Sequence, residues 1–303
     1  MLLLDVFAGV MMPLILLAGL GALVSRRAGL LVGPLSILVF NLFIPALVFT
    51  TIITVDIDAD IVPRIAAVVA GVSLLSGLVG VAAGRLLRWS PRRSAATGLA
   101  LGVINLGNMG IPVSGLAFGP EGLAVAVVAF IVSAMLNNSF GIVLASTGEG
   151  VSVGRALLAP LRVPAMWVLP PAFVVRIGGL KPGAWLMEPT ALLADASIPL
   201  MLVVLGLQVT AHRPRLRDLT GLATPIVVRL IGGPLLAYGL TVLVGVEGVV
   251  QHTLIVLGGM PPAVVGTIIA TRHDADPTWV AQTVMFATLA SFVTLTGLIA
   301  LLS

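Results

Sequence analysis

Two short runs hold the residues whose types and spacing could do chemistry. The first contains Asn105, Gly107, Asn108, Met109, Gly110, Ile111 and Pro112; the second contains Gly258, Gly259, Met260, Pro261 and Pro262. Proline gives a helix no N–H and clashes with the carbonyl a turn back, while glycine lowers the cost of irregular backbone. Both runs therefore predict a helix interrupted in its middle. The half-helix after such a break begins with unpaired N–H groups and the positive end of its dipole, which suits an anion. Asn105 and Asn108 add neutral donors and acceptors. These twelve residues form the candidate substrate-binding set. Either run alone reads equally well as a proline kink with glycine at a helix contact; two together argue for a site.

A second tier of polar residues lies within apolar sequence: Asn41, Asn137, Asn138, Asp195 and Arg229. An ionisable group at membrane depth is a functional candidate by default. Arg229 is suited to neutralising a substrate carboxylate or to pairing with Asp195, and the alternative is a guanidinium that snorkels to the interface. Asp195 is either a helix-start acid at the outer surface or, if buried, a proton or cation ligand.

Other chemistries have no residues to carry them. The chain has no cysteine and only three histidines, none of them mid-span. It lacks H-E-x-x-H, a phosphate loop and a dinucleotide fingerprint. The expectation is a carrier driven by gradients, with no cofactor and no catalytic or metal-binding residue. Proton or sodium coupling stays open.

The elements that must position these residues follow from composition. Of 303 residues, 59% are hydrophobic and only 9% charged, where a soluble domain carries about 25% charged. Mean hydropathy is +1.18. Lipid must cover what charge cannot, so the class is an all-α integral membrane protein. Apolar runs near 6–24, 33–54, 61–84, 95–117, 122–145, 160–177, 190–211, 219–244, 249–271 and 278–302 give ten transmembrane helices. The first reads as a retained span, because acidic Asp5 precedes it and no signal-peptide cleavage pattern follows.

Charge sets the orientation. The odd-numbered connections carry twelve of the sixteen basic residues, among them Arg26, Arg27, Arg85, Arg88, Arg155, Arg162, Arg213, Arg215, Arg217 and Arg272. The even-numbered ones carry Arg64, Arg176 and Lys181. Basic loops stay in the cytoplasm, which puts both termini outside a bacterial-type inner membrane. The net charge of +4 therefore reflects topology and calls for no nucleic-acid partner.

The chain also repeats. Asn41 to Pro45 matches Asp195 to Pro199 at an offset of 154, and Gly107 to Pro112 matches Gly258 to Pro262 at 151. Five spans per unit make the two copies inverted across the membrane, an architecture common among secondary transporters. The expected organisation is a first five-helix repeat over 1–145, a cytoplasmic connection over 146–159 and a second repeat over 160–303, with the broken spans 4 and 9 crossing.

The stretches Asn105–Val113, Ile198–Thr210, Arg229–Pro234 and Gly259–Val264 resemble the auxin efflux carrier family of permeases, and the likeness covers essentially the whole chain. The resemblance implies a scaffold of spans 1, 2, 6 and 7 and a moving transport domain of spans 3–5 and 8–10. It further implies elevator-like alternating access, a homodimer through the scaffold, and a small organic anion such as malonate or malate as cargo. In that fold Asn137 and Asn138 face the crossing. The chain lacks the long cytoplasmic loop of plant members, so auxin specificity does not carry over. Two alternatives remain: a sodium-coupled carrier of the bile-acid type, and a membrane binding or sensor module, or channel, that does not transport.

Overall fold

A computed structural model of the chain describes residues 3–29, 31–55, 58–145, 163–211 and 219–302, the side chains of Asn138, Leu219 and Thr220 aside. The expected connection 146–159, with Arg155, lies outside the described residues, as do Arg162, Arg213, Arg215 and Arg217.

The described residues form helices joined by short turns, with no strand among them. In chain order the helices are α1 (Leu3–Ala28), α2 (Val32–Thr54), α3 (Ile61–Leu86) and α4 (Pro91–Gly102), then α5 (106–118) and α6 (120–145). They continue with α7 (Pro164–Ile177), α8 (Ala184–Thr210), α9 (219–244), α10 (Gly248–Gly258), α11 (Val264–Arg272) and α12 (Pro277–Leu302). Among the described residues seven helical stretches are long and apolar enough to cross a membrane, while α7 and α10 are shorter apolar helices. Large apolar side chains such as Leu16, Leu20, Trp167, Leu192, Leu243 and Val293 are exposed, where water would penalise them and lipid would not.

Local sequence explains the boundaries. Ser90 caps α4, its hydroxyl accepting from the Arg93 N–H at 3.3 Å, and Pro91 takes the first helical position, where no N–H is needed. Gly29 and Gly245 end α1 and α9 in the left-handed conformation. At Gly119, with φ of 66° and ψ of −155°, the chain turns from α5 into α6. Four prolines mark a second device. Pro13, Pro45, Pro112 and Pro234 each follow by two residues a turn widened to π geometry, at Phe7–Met11, Val39–Phe43, Leu106–Gly110 and Val228–Gly232. Widening the turn takes up the misfit between the proline ring and the carbonyl before it.

That device corrects the expected position of the first break. Pro112 does not interrupt its helix; the interruption falls earlier, at 103–105. The second lies at 259–263, overlapping the expected run and ending one residue beyond it. Span 4 thus becomes α4 and α5, and span 9 becomes α10 and α11. Span 7 begins six residues earlier than expected, so Asp195 is the twelfth residue of α8 and lies about 17 Å along it, not near its start.

In the packing, α1 runs along α8, and α2 contacts both α7 and α8. Around α3 pack α4 and α9, and α9 lies along α10. The closest approach is between α1 and α8: a Cβ on Gly206 would overlap the Ala18 carbonyl, and one on Gly21 would overlap that of Val203. Small residues here let two backbones meet, as membrane helices require in the absence of a hydrophobic drive. Gly206→Val should therefore lower stability by about 1–3 kcal/mol, read as a reduced melting temperature in detergent. Gly19→Ala, whose added Cβ meets nothing within 4 Å, should leave it unchanged. An equal loss in both would contradict this contact.

Candidate functional site

Backbone freed from a helix at membrane depth must find partners inside the protein. The two interruptions supply each other. The Asn105 N–H donates to the Pro261 carbonyl at 2.9 Å, and the Ala263 N–H donates to the Val103 carbonyl at 2.8 Å. Ile104 and Pro262 face each other between these bonds as an antiparallel bridge. The composition suits the task, since Pro261 and Pro262 have no N–H left to satisfy and offer only carbonyls.

Four half-helices meet at this point: α4 and α10 arrive with their C-termini, and α5 and α11 leave with their N-termini. A cavity of about 600 Å³ opens against the second pair. Its inner wall includes Asn105, Gly107 and Asn108 from the first break and Ala263, Val264 and Val265 from the second. The Leu106 N–H donates to the Ile104 carbonyl and the Gly266 N–H to the Ala263 carbonyl, each at 3.0 Å, while the amides of 107, 108, 264 and 265 have no helical carbonyl a turn before them to bind. The Asn108 amide oxygen is buried without a hydrogen-bond partner. Asn137 donates to the Ser133 hydroxyl at 3.4 Å, and Asn41 donates to the Ile37 carbonyl at 2.6 Å; both asparagines line the cavity.

The structure therefore gathers five of the named residues around one space: Asn41, Asn105, Gly107, Asn108 and Asn137. Most of the others stand behind the wall. Met109, Gly110, Ile111 and Pro112 are buried in α5, as are Gly258, Gly259, Met260, Pro261 and Pro262 in and beside the second break. Met109 meets Ser291, and a Cβ on Gly110 would press on Leu257. The side chain of Asn138 is outside the described residues. Asp195 is exposed on α8.

Arg229 takes a position that spacing alone does not reveal. It is fully buried on α9 and neither snorkels nor pairs with Asp195. One guanidinium nitrogen donates to the Leu101 carbonyl at 2.7 Å, and the other donates to the Gly258 carbonyl. Leu101 is the second-last residue of α4 and Gly258 the last of α10.

Other lining residues escape sequence reasoning. Phe40 and Phe130 stack with centroids 6.3 Å apart beside Gly107, Gln208 closes one wall, and exposed Arg272 stands at the end of α11. Only Gln208, a lone amide at the end of an apolar run, left a signal. Among the described residues no three His, Asp or Glu side chains gather to hold a metal.

A family profile described as "Membrane transport protein" matches residues 6–155 and 167–299. The chain belongs to that family. Its members include the auxin efflux carriers that the sequence resembles, so the protein is a multi-pass membrane transport protein and not an enzyme. An uncharacterized transporter of Methanothermobacter thermautotrophicus is 28% identical over 272 residues, covering 85% of this chain and 84% of its own. One of Methanocaldococcus jannaschii is 24% identical over 199 residues, covering 62% of each chain.

The crossing can be tested in a chain without native cysteine. The bridge pair 104 and 262 sits between its two hydrogen bonds, which sets the Cα atoms about 4.5 Å apart, within disulfide range. Ile104→Cys with Pro262→Cys should cross-link on mild oxidation, visible as linked fragments after proteolysis between the halves. Free thiols at both positions would contradict the crossing.

Proposed function

We propose that this membrane transport protein is a secondary carrier for a small organic anion, a mono- or dicarboxylate of the malonate or malate kind. One observation carries the reading: the N-termini of α5 and α11 open side by side into one cavity, flanked by Asn105 and Asn108. The amides of 107, 108, 264 and 265 and two positive dipole ends would receive a carboxylate without any formal charge in contact. Arg272 at the far end of the cavity supplies the attraction that draws the anion in.

The architecture proposed around it is ten spans in two inverted repeats. The packing pairs support it, because a five-span shift exchanges α1–α8 with α7–α2 and α3–α4 with α9–α10. The Ser197 hydroxyl donates to the Phe43 carbonyl at 2.9 Å, joining positions 154 residues apart, the same offset as Asn41 and Asp195. In this reading α1, α2, α7 and α8 form the scaffold, dimerising with a second copy, and the remaining helices carry the cargo past it as an elevator. The cavity runs from the crossing to the starts of α2 and α7 and the ends of α8 and α11. These ends adjoin the basic connections, so the state described would be open to the cytoplasm, with both termini outside.

A second reading, sodium-coupled transport, has its own support in the buried, unpartnered Asn108 oxygen, a ligand type that a sodium ion takes. Counterflow of labelled malonate, malate and succinate into proteoliposomes, with and without sodium and pH gradients, separates the two. Uptake independent of sodium favours the simple anion carrier, and sodium-dependent affinity favours the symporter. Asn108→Ala should raise the KM for the transported anion roughly tenfold, the worth of one charge-assisted hydrogen bond. Arg272→Gln should raise it less, by about two- to fivefold, with the effect vanishing at high salt. No counterflow of any organic anion would overturn the carrier reading.

A further inference from the structure

The four helix ends at the crossing pose a charge problem. Each N-terminus carries about half a positive charge and each C-terminus about half a negative one. The two α5 and α11 ends facing the cavity and the two α4 and α10 ends behind it therefore sum to about zero. By themselves they would hold an anion against an equal and opposite field a few ångströms deeper.

Arg229 removes that opposition. Its guanidinium donates to the Leu101 and Gly258 carbonyls, which lie in the last turns of the two C-terminal ends. Among the described residues no carboxylate pairs with it. The helices packed around α9 carry Arg64 and Arg85 on α3, Arg92 and Arg93 at the start of α4, and His252 on α10, while α12 carries no charged residue. The ion pairs among the described residues are Arg92–Asp274 and Arg93–Asp276, both at the far end of α4 from the crossing. The side chain is held where it is by shape: a Cβ on Gly233 would collide with the Gly258 carbonyl and with the guanidinium itself. This accounts for the run from Arg229 to Pro234, which places Gly233 one turn after the arginine against the end of α10.

We infer that Arg229 is the source of the net positive potential at the crossing end of the cavity, remote from Arg272, acting through the two helix ends it caps without touching the cargo. It is a positioning and selectivity residue. The inference deepens the anion-carrier reading and rests on it for its consequence, a preference for anions over neutral analogues. The potential itself can be measured with no cargo present.

Because the chain has no cysteine, a single Ala263→Cys at the cap of α11 puts a reporter thiol on the cavity wall. Its reaction rates with an anionic and a cationic methanethiosulfonate reagent, taken as a ratio in detergent, read the local potential and cancel the thiolate fraction. The ratio should favour the anionic reagent, fall by about tenfold with Arg229→Gln added, and stay high with Arg229→Lys. Arg229→His keeps the test open if the glutamine variant does not fold: its ratio should be high at pH 5, where the imidazole is charged, and low at pH 8. A ratio indifferent to Arg229→Gln and to the pH of Arg229→His would overturn the inference, even if the protein transports anions. A ratio that responds as stated, in a protein that carries no organic anion, would uphold the source of the potential and reject the cargo.

Discussion

The mutual pairing of two interrupted backbones is the constraint on which the rest of this structure depends. Residues 103–105 and 259–263 leave helical geometry in the middle of a protein built to sit in lipid. Neither segment could do so alone, because each would strand amides and carbonyls where no water reaches them. Two hydrogen bonds between the segments, Asn105 to Pro261 and Ala263 to Val103, close that account. They also fix the relative positions of α4, α5, α10 and α11, so the cavity wall is a consequence of solving a folding problem.

Once the breaks are paired, electrostatics follows from geometry. Two N-termini point into the cavity, and two C-termini point into the protein, where Arg229 meets both. In the proposed reading a basic residue influences the site without lining it, and helix-start amides and asparagines at the crossing favour an anion with no formal charge in contact there. The cost is a buried cation that pairs with no carboxylate among the described residues. Carbonyl dipoles, held at contact distance by the Gly233–Gly258 approach, replace the counter-charge.

Much of this was legible in the sequence, in proportion to how local the cause is. The apolar runs located the helices, and the matching Gly–Pro runs located the two helices that break, because hydropathy and proline chemistry act over a few residues. The run Gly107 to Pro112 misled by about one turn. Proline there is accommodated by a widened turn at Leu106–Gly110, so the actual break moved upstream to 103–105. Asn41, Asn105, Asn108 and Asn137 stood out as polar residues in apolar helices, and all four reach the cavity. Phe40, Phe130 and Arg272 carried no such mark, since an aromatic in a membrane helix or an arginine at its end is ordinary until tertiary packing aims it. The role of Arg229 was invisible for a related reason. Its partners are backbone carbonyls 128 and 29 residues away, and carbonyls leave no trace in side-chain spacing.

The central claim is that cargo docks against the crossing. Residue-resolved amide hydrogen exchange, with and without a saturating carboxylate that the protein transports, tests it most directly. New protection is expected at the amides of 107, 108, 264 and 265, at the two helix starts that face the cavity, with little change along α1 and α7. Protection confined to other parts of the molecule, with these four amides exchanging as fast as before, would contradict it.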